Sequence, residues 1–284
     1  MKKAFDDSII EYSICVVGAG GIGTLLLAYL SRLFINQFDE YNNTFVKMAI
    51  IDGDHYEEKN LARQFFAATS VGRNKAAAQI DKFMTMFPNS HVIQTNNLYA
   101  IEEYITPENI ENILPYPENL IIFSCVDNHA CRYLLSKYTE KFKRNNVVLI
   151  TGGNETYDGS VHIQGQYRGV PIGEPIEKRH PEITTDKTDD RSALSCQELY
   201  NMPSGDQLLV ANAGAAYFMY AAFMAMLKDP TKVANVQDIF FDAAALECRV
   251  IRPKIVIGKK PDEAPANDVT PAKDEIPAPE TVVA

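Results

Sequence analysis

Short β-type apolar runs alternate with longer stretches of helical spacing over most of the first 151 residues. SICVV at 13–17 predicts a strand, and the apolar spacing of TLLLAYLSRLF predicts a helix over 21–35. Strands follow at 46–51, 91–96, 119–124 and 146–151, with helices at 70–86, near 101–113 and at 128–141 between them. That succession implies an α/β chain with a mostly parallel sheet and helices on both faces, because parallel neighbours are joined by crossover helices. The runs at 161–167 and 239–251 read as antiparallel C-terminal additions. Between them, 168–205 is polar and rich in Pro, Asp and Thr, which predicts a mobile crossover loop of functional kind. One domain is expected over 1–257, followed at 258–284 by a disordered acidic, Pro-rich tail.

The stretch LLVANAGAAYFMYAAFMAML at 208–227 has no charge over a length that could cross a bilayer. Its alanines, Asn212 and Gly214 keep it only modestly hydrophobic and no cationic cluster flanks it, so a buried or subunit-interface helix is expected, not a membrane span.

Composition narrows the partners. At 284 residues and 46% hydrophobic, the chain can bury one large core, and no secretory leader is apparent. A net charge of −10 disfavours nucleic-acid binding. The five cysteines, Cys15, Cys125, Cys131, Cys196 and Cys248, contain no CxxC pair, which fits a reduced, cytoplasmic protein. Five scattered histidines show no zinc spacing, so no zinc is expected.

The chemistry starts at VVGAGGIG, 16–23. Gly18, Gly20, Gly21 and Gly23 sit where a strand turns sharply into a helix, which needs residues without a Cβ and lets phosphate oxygens approach backbone amides and the helix N-terminus. This is a Rossmann-like signal, and in such sheets ligands bind at the carboxyl ends of strands. The second strand ends at Asp52, with Asp54 beyond it, and Asp52 is placed to accept ribose hydroxyls. KNLARQ at 59–64 and VGRNKA at 71–76 then supply Asn60, Arg63, Gln64 and Lys75, cations and amide donors suited to a triphosphate. Lys59 and Arg73 read instead as surface charges. In SCVDNHACR, Asp127 follows a strand and suits Mg²⁺ beside phosphates, while Asn128 can cap the next helix and touch the nucleotide.

GAGGIG, IIDGD, NLARQ, VGRNKA and VDN, in this order and at these separations, closely resemble the ThiF/HesA/MoeB family of ubiquitin-activating-like adenylating enzymes, over roughly 13–167 and more loosely over 206–229. The resemblance implies ATP–Mg²⁺-dependent adenylation of the C-terminal carboxylate of a small ubiquitin-fold or sulfur-carrier protein ending in glycine, by a homodimeric adenylyltransferase. It implies that Gly21 belongs to the phosphate turn, Asp52 meets the ribose, and Asn60 and Arg63 meet the phosphates. Lys75 would serve the phosphates and transition state, and Asp127 the Mg²⁺. Cys196, late in the polar stretch, stands where many members carry a cysteine that takes the carrier as a thioester; the other four cysteines read as packing residues. Two features depart from the family pattern. The paired CxxC zinc motifs are missing, as in a zinc-free subgroup that includes the ThiF-like proteins of bacterial PRTRC clusters. The N-terminal arginine that some dimeric members donate across the interface is also missing, so the resemblance does not extend to catalysis supplied by a partner. An NAD-dependent oxidoreductase, motivated by the glycines and Asp52 alone, a non-catalytic ThiF-like scaffold and a tRNA-modifying branch remain as alternatives.

Overall fold

The computed structural model describes residues 12–36, 45–88, 97–114, 119–185 and 209–252. All of them fall in the first of two units, Met1–Pro253 and Lys254–Ala284. The 258–284 tail, Cys196 and the 91–96 run lie outside the described residues.

Strand β1, Tyr12–Val17, alternates Tyr12, Ile14 and Val16 to one face and Cys15 and Val17 to the other, with all five buried. A strand apolar on both faces belongs in the middle of a sheet. It does so here: β2 (Phe45–Ile51) and β4 (Leu120–Ser124) flank it in parallel, β3 (Leu98–Ile101) lies outside β2, and β5 (Val147–Asn154) lies outside β4. The order β3-β2-β1-β4-β5 is the parallel half of a nine-stranded sheet. β6 (Asp158–Tyr167) turns antiparallel on β5 and carries β7 (Val170–Ile172) and β8 (Asp238–Asp242); β9 (Glu247–Ile251) closes the far edge against β8. The expected antiparallel additions are therefore present, with 239–251 resolved into a hairpin.

Among the described residues four long helices cover the two faces: α1 (Gly21–Asn36), α2 (Lys75–Met86), α3 (His129–Lys141) and α4 (Leu209–Lys228). Leu26, Leu30, Ala76, Phe83, Met219 and Phe223 from α1, α2 and α4 pack on Ile14, Val16, Ile50 and Phe123. Cys131, Leu135 and Tyr138 from α3 pack on the opposite face with Cys15, Val17, Ile122 and Leu149. Among the described residues α4 is the one helix long and apolar enough to cross a membrane, and it lies against α1, β5 and β6. Its Ala215, Met219 and Phe223 are fully buried, as a core helix requires.

Several expected boundaries change. α2 starts at Lys75 instead of 70 because the Asn74 side chain accepts from the Ala77 amide, 3.0 Å, and caps the helix there. The helix expected near 101–113 shrinks to a turn at Ile110–Ile113, since β3 runs through Ile101 and the Asn109 side chain takes the Thr106 amide. Within the 168–205 stretch the described residues reach Thr185 and form regular structure. β7, a helical turn at Ile176–Arg179 and a 3-10 turn at Pro181–Thr184 bury Ile172, Ile176 and Ile183.

Candidate functional site

At the carboxyl end of β1 the chain reverses through Gly18, whose φ of 92° is unfavourable for any side chain. A Cβ on Gly18 would stand 2.9 Å from the backbone carbonyl of Cys125, just past β4, and one on Gly23 would stand 1.9 Å from the Gly18 oxygen. These two glycines press the first turn of α1 onto the ends of β1 and β4. Gly21 has a different neighbour, because its Cβ would overlap the buried Asn212 of α4 at 2.4 Å. Gly20 is the open one: the nearest atom to its Cβ is Gln64 Nε2 at 3.8 Å. The turn is thus sealed behind and accessible in front.

Asp52 is tied directly to this turn. One carboxylate oxygen accepts the Ala19 amide at 2.6 Å and the other the Asp54 amide at 2.8 Å. Burial pushes the Asp52 carboxyl up, with Lys75 and the two amides acting in the opposite direction. Lys75, 8% exposed at the start of α2, donates to Asp54 at 3.1 Å. Its position is fixed by the Asn74 side chain on the Asp52 carbonyl, 2.8 Å, and by its own amide on the Asp54 carbonyl, 2.8 Å. Asp54 also receives the Tyr104 hydroxyl, and the Tyr104 ring lies over Gly53 so closely that a Cβ there would be 2.6 Å from it. A cation, two carboxylates and an exposed aromatic ring therefore gather at the ends of β2 and β3.

The 58–66 segment wraps over the same end. Asn60, buried, accepts the Glu57 amide at 2.9 Å and caps the 3-10 turn Glu58–Ala62. The Arg63 carbonyl accepts from Asn212 Nδ2 at 3.3 Å, and the Phe65 amide donates to Thr24 of α1 at 2.9 Å. Gln64 Oε1 and Asn212 Oδ1, both beside the glycine turn, are buried without a hydrogen-bond partner among the described residues. Lys59 and Arg73 pair with the surface carboxylates Glu57 and Asp81, as their reading as surface charges expects.

Beyond β4, Asp127 is exposed, and Asn128 caps α3 by accepting the Cys131 amide at 2.7 Å. Arg132, one turn further on, was not singled out in the sequence. Its guanidinium donates to the Val126 carbonyl at 2.9 Å, lies 3.4 Å from the Gly152 carbonyl, and so spans the ends of β4 and β5. Its spacing of four from Asn128 was the available signal. Tyr104 had none, since only the return of β3 beside β2 brings it over Gly53. Among the cysteines, Cys15 and Cys131 are buried with thiols pushed up to about 12, and burial raises Cys125 as well. Cys248 corrects the packing reading: β9 is an edge strand and leaves it exposed.

Residues 1–197 match the ThiF family. The chain belongs to that family. Among curated relatives it is 30% identical over 124 residues to "Adenylyltransferase and sulfurtransferase uba4" of Aspergillus niger, covering 43% of this chain and 22% of that protein. It is 23% identical over 146 residues to "Ubiquitin-like modifier-activating enzyme 5" of Arabidopsis thaliana, covering 49% of this chain and 32% of that one. The matches thus span under a third of these relatives' lengths. Among solved structures, E. coli MccB with ATP superposes with a TM-score of 0.57 at 16% identity, covering 84% of this chain and 63% of that one. PaaA gives 0.56 at 16%, covering 85% and 64%. Both likenesses concern the fold.

Proposed function

We propose that this ThiF-family protein is an adenylyltransferase that uses ATP to activate the C-terminal carboxylate of a small ubiquitin-fold or sulfur-carrier protein. The observation that carries the reading is the glycine turn with its one open face at Gly20, bounded by the buried cation Lys75 and by Asp52 at adjoining strand ends. The named activities of the curated relatives supply the reaction class.

The residues present fit ATP. Without a Cβ, Gly20 admits a phosphate oxygen to the turn and to the α1 N-terminus. Asp52 keeps lone pairs beyond its two amide bonds for ribose hydroxyls. Lys75 and Arg63 serve the phosphates, with Asn60, Gln64 and Asn128 as polar neighbours. Mg²⁺, when bound, would neutralise phosphate charge, and Asp127 is the residue that would hold it.

In the reaction a carboxylate oxygen of the carrier attacks the α-phosphorus, the bond to the β-phosphate bridging oxygen breaks, and pyrophosphate leaves with the electron pair. This chain contributes chiefly position and charge: Lys75 and Arg63 face negative charge that grows on the oxygens, which is worth most where water is excluded. Cys196 is the residue proposed to take the carrier as a thioester, releasing AMP. A cytoplasmic homodimer completes the proposal.

Pyrophosphate exchange into ATP tests it. Exchange should require a carrier ending in glycine and collapse in Asp127→Ala and Lys75→Met. Exchange unchanged in both variants, or tight NAD binding with no affinity for ATP, would overturn the reading.

A further inference from the structure

On the antiparallel half of the sheet, three side chains converge from separate elements. His162 of β6 stands opposite Asp238 of β8 in the strand register, and His180 follows the helical turn Ile176–Arg179. Their ligand atoms all lie within 4.8 Å of one another. His162 Nδ1 is 3.0 Å and His180 Nε2 3.1 Å from the same oxygen, Asp238 Oδ1. His162 and Asp238 are fully buried and the His180 side chain is 23% exposed, so the cluster has one open side.

The donor and acceptor inventory is unusual. His162 Nε2 lies 2.8 Å from the Glu174 backbone carbonyl, which only accepts, so that nitrogen carries the proton. The other ring nitrogen, His162 Nδ1, is left to face the Asp238 carboxylate. His180 likewise has a carboxylate at each ring nitrogen, with Nδ1 3.2 Å from Glu182 Oε1 and Nε2 on Asp238. Two imidazole nitrogens thus converge on one carboxylate oxygen, an arrangement that ring protons or a single shared cation can satisfy. We infer that His162, His180 and Asp238 form a binding site for one borderline divalent metal ion, with Zn²⁺ as the best match to two imidazoles and a carboxylate.

The surroundings suit that chemistry. Every ligand has its other polar atom held: His162 by the Glu174 carbonyl, His180 by the Glu182 carboxylate and Asp238 Oδ2 by Arg179 Nε at 3.2 Å. Carbonyl and carboxylate partners of this kind orient metal-bound histidines. Among the described residues Arg179 is an adverse charge, but it sits on Asp238 Oδ2, away from both imidazoles, and leaves Oδ1 to bind alone. Zinc bonds of about 2.0–2.2 Å set tetrahedral ligand separations of roughly 3.3–3.5 Å, so the two contacts to Oδ1 would open by a few tenths of an ångström while the two imidazoles, within 4.8 Å of each other, swing together on the open His180 side. Water takes the fourth position on the His180 side. The three residues are 18 and 58 positions apart, which is why no zinc spacing is visible in the chain. The site shares no residue with the nucleotide turn, so it stands or falls independently of the adenylation proposal.

The test is Zn²⁺ titration of the full-length, untagged chain after EDTA treatment, read by calorimetry, with Co²⁺ as a spectroscopic probe. One ion per chain with a dissociation constant of about 1 µM or lower is expected. His180→Gln, at the open side, should weaken binding by at least about 100-fold, and Glu182→Gln, which loosens only the orienting contact, by roughly 10–100-fold. Circular dichroism should show both variants folded. No zinc uptake by the wild type, unchanged affinity in folded His180→Gln, or a cobalt complex with thiolate absorption would each overturn the inference.

Discussion

Gly18 and Gly20 stand two residues apart in one motif, yet the structure assigns them different work, and alanine at each separates the two. At Gly18 the φ of 92° costs a residue with a Cβ about 1–3 kcal/mol. The added methyl also meets the Cys125 carbonyl at 2.9 Å. That carbonyl cannot easily retreat, because the Cys125 amide is bonded to Val17 at 2.8 Å and the Gly18 amide to Ile51 at 2.9 Å. Overpacking against fixed atoms adds about 1–3 kcal/mol, for a total of about 2–6 kcal/mol. At roughly 2–4 °C per kcal/mol, Gly18→Ala should lower Tm by on the order of 10 °C. Gly20→Ala meets only Gln64 Nε2 at 3.8 Å, an ordinary contact, and relieves unfolded-state entropy, so Tm should stay within about 2 °C or rise. Its methyl nevertheless fills the face where a phosphate would approach, and ATP affinity should fall at least about tenfold, a loss of roughly 1.4 kcal/mol. Thermal unfolding and calorimetric ATP titration on both variants decide the matter. Wild-type ATP affinity in Gly20→Ala, or an unshifted Tm in Gly18→Ala, would refute the assignment.

Alkylation of the native protein near pH 8 should mark the exposed Cys248 and spare Cys15, Cys125 and Cys131, whose buried thiols stay protonated there; peptide mass spectrometry reads the sites, and labelling of Cys15 at a rate like that of Cys248 would contradict the fold. Phe223→Ala on α4 removes a fully buried ring packed edge-on to Phe123, 5.3 Å between centroids, and should cost about 3–5 kcal/mol in denaturant titration. A cost under about 1 kcal/mol would mean that α4 is not a core helix.

What the sequence made legible follows from how local each signal is. The strand β1, the glycine turn and α1 are contiguous, so residue type and spacing carried them to the right place. Asn74 and Asn128 act on amides three residues on, also a local matter. Asn60 and Asp52 were found as polar residues near the turn, but their bonds to Glu57, Ala19 and Asp54 depend on the folded chain. Tyr104 and Asn212 reach the turn only through β3 pairing and the packing of α4 on α1, which no spacing encodes. The packed elements at 170–184 escape sequence reading for a related reason. Ile172, Ile176 and Ile183 are too sparse to show a period, and they are buried one at a time under a polar surface.

Asp52 shows how fold and chemistry pull against each other at one residue. Burial holds its carboxyl above the ordinary value of 3.8 even though Lys75 and two amides favour the charged form. A carboxyl whose folded value exceeds its unfolded one stabilises the fold while protonated; that contribution is full below 3.8 and is lost as pH rises through the higher folded value. At neutral pH the charge is therefore a cost to the fold, only partly offset by the Ala19 and Asp54 bonds, each of a kind worth about 1.5–3 kcal/mol. Asp52→Asn removes the charge but keeps one acceptor, so the two effects oppose, and stability at pH 7 should stay within about 1 kcal/mol of wild type. Denaturant titrations at pH 4 and pH 7 should show wild type gaining on the variant as pH falls, while ATP affinity at pH 7 drops about tenfold for want of a charged acceptor for the ribose. If the variant instead gained on wild type towards pH 4, the carboxyl would be held below its ordinary value, and the case that a partly buried charge is kept there for a ligand would fail.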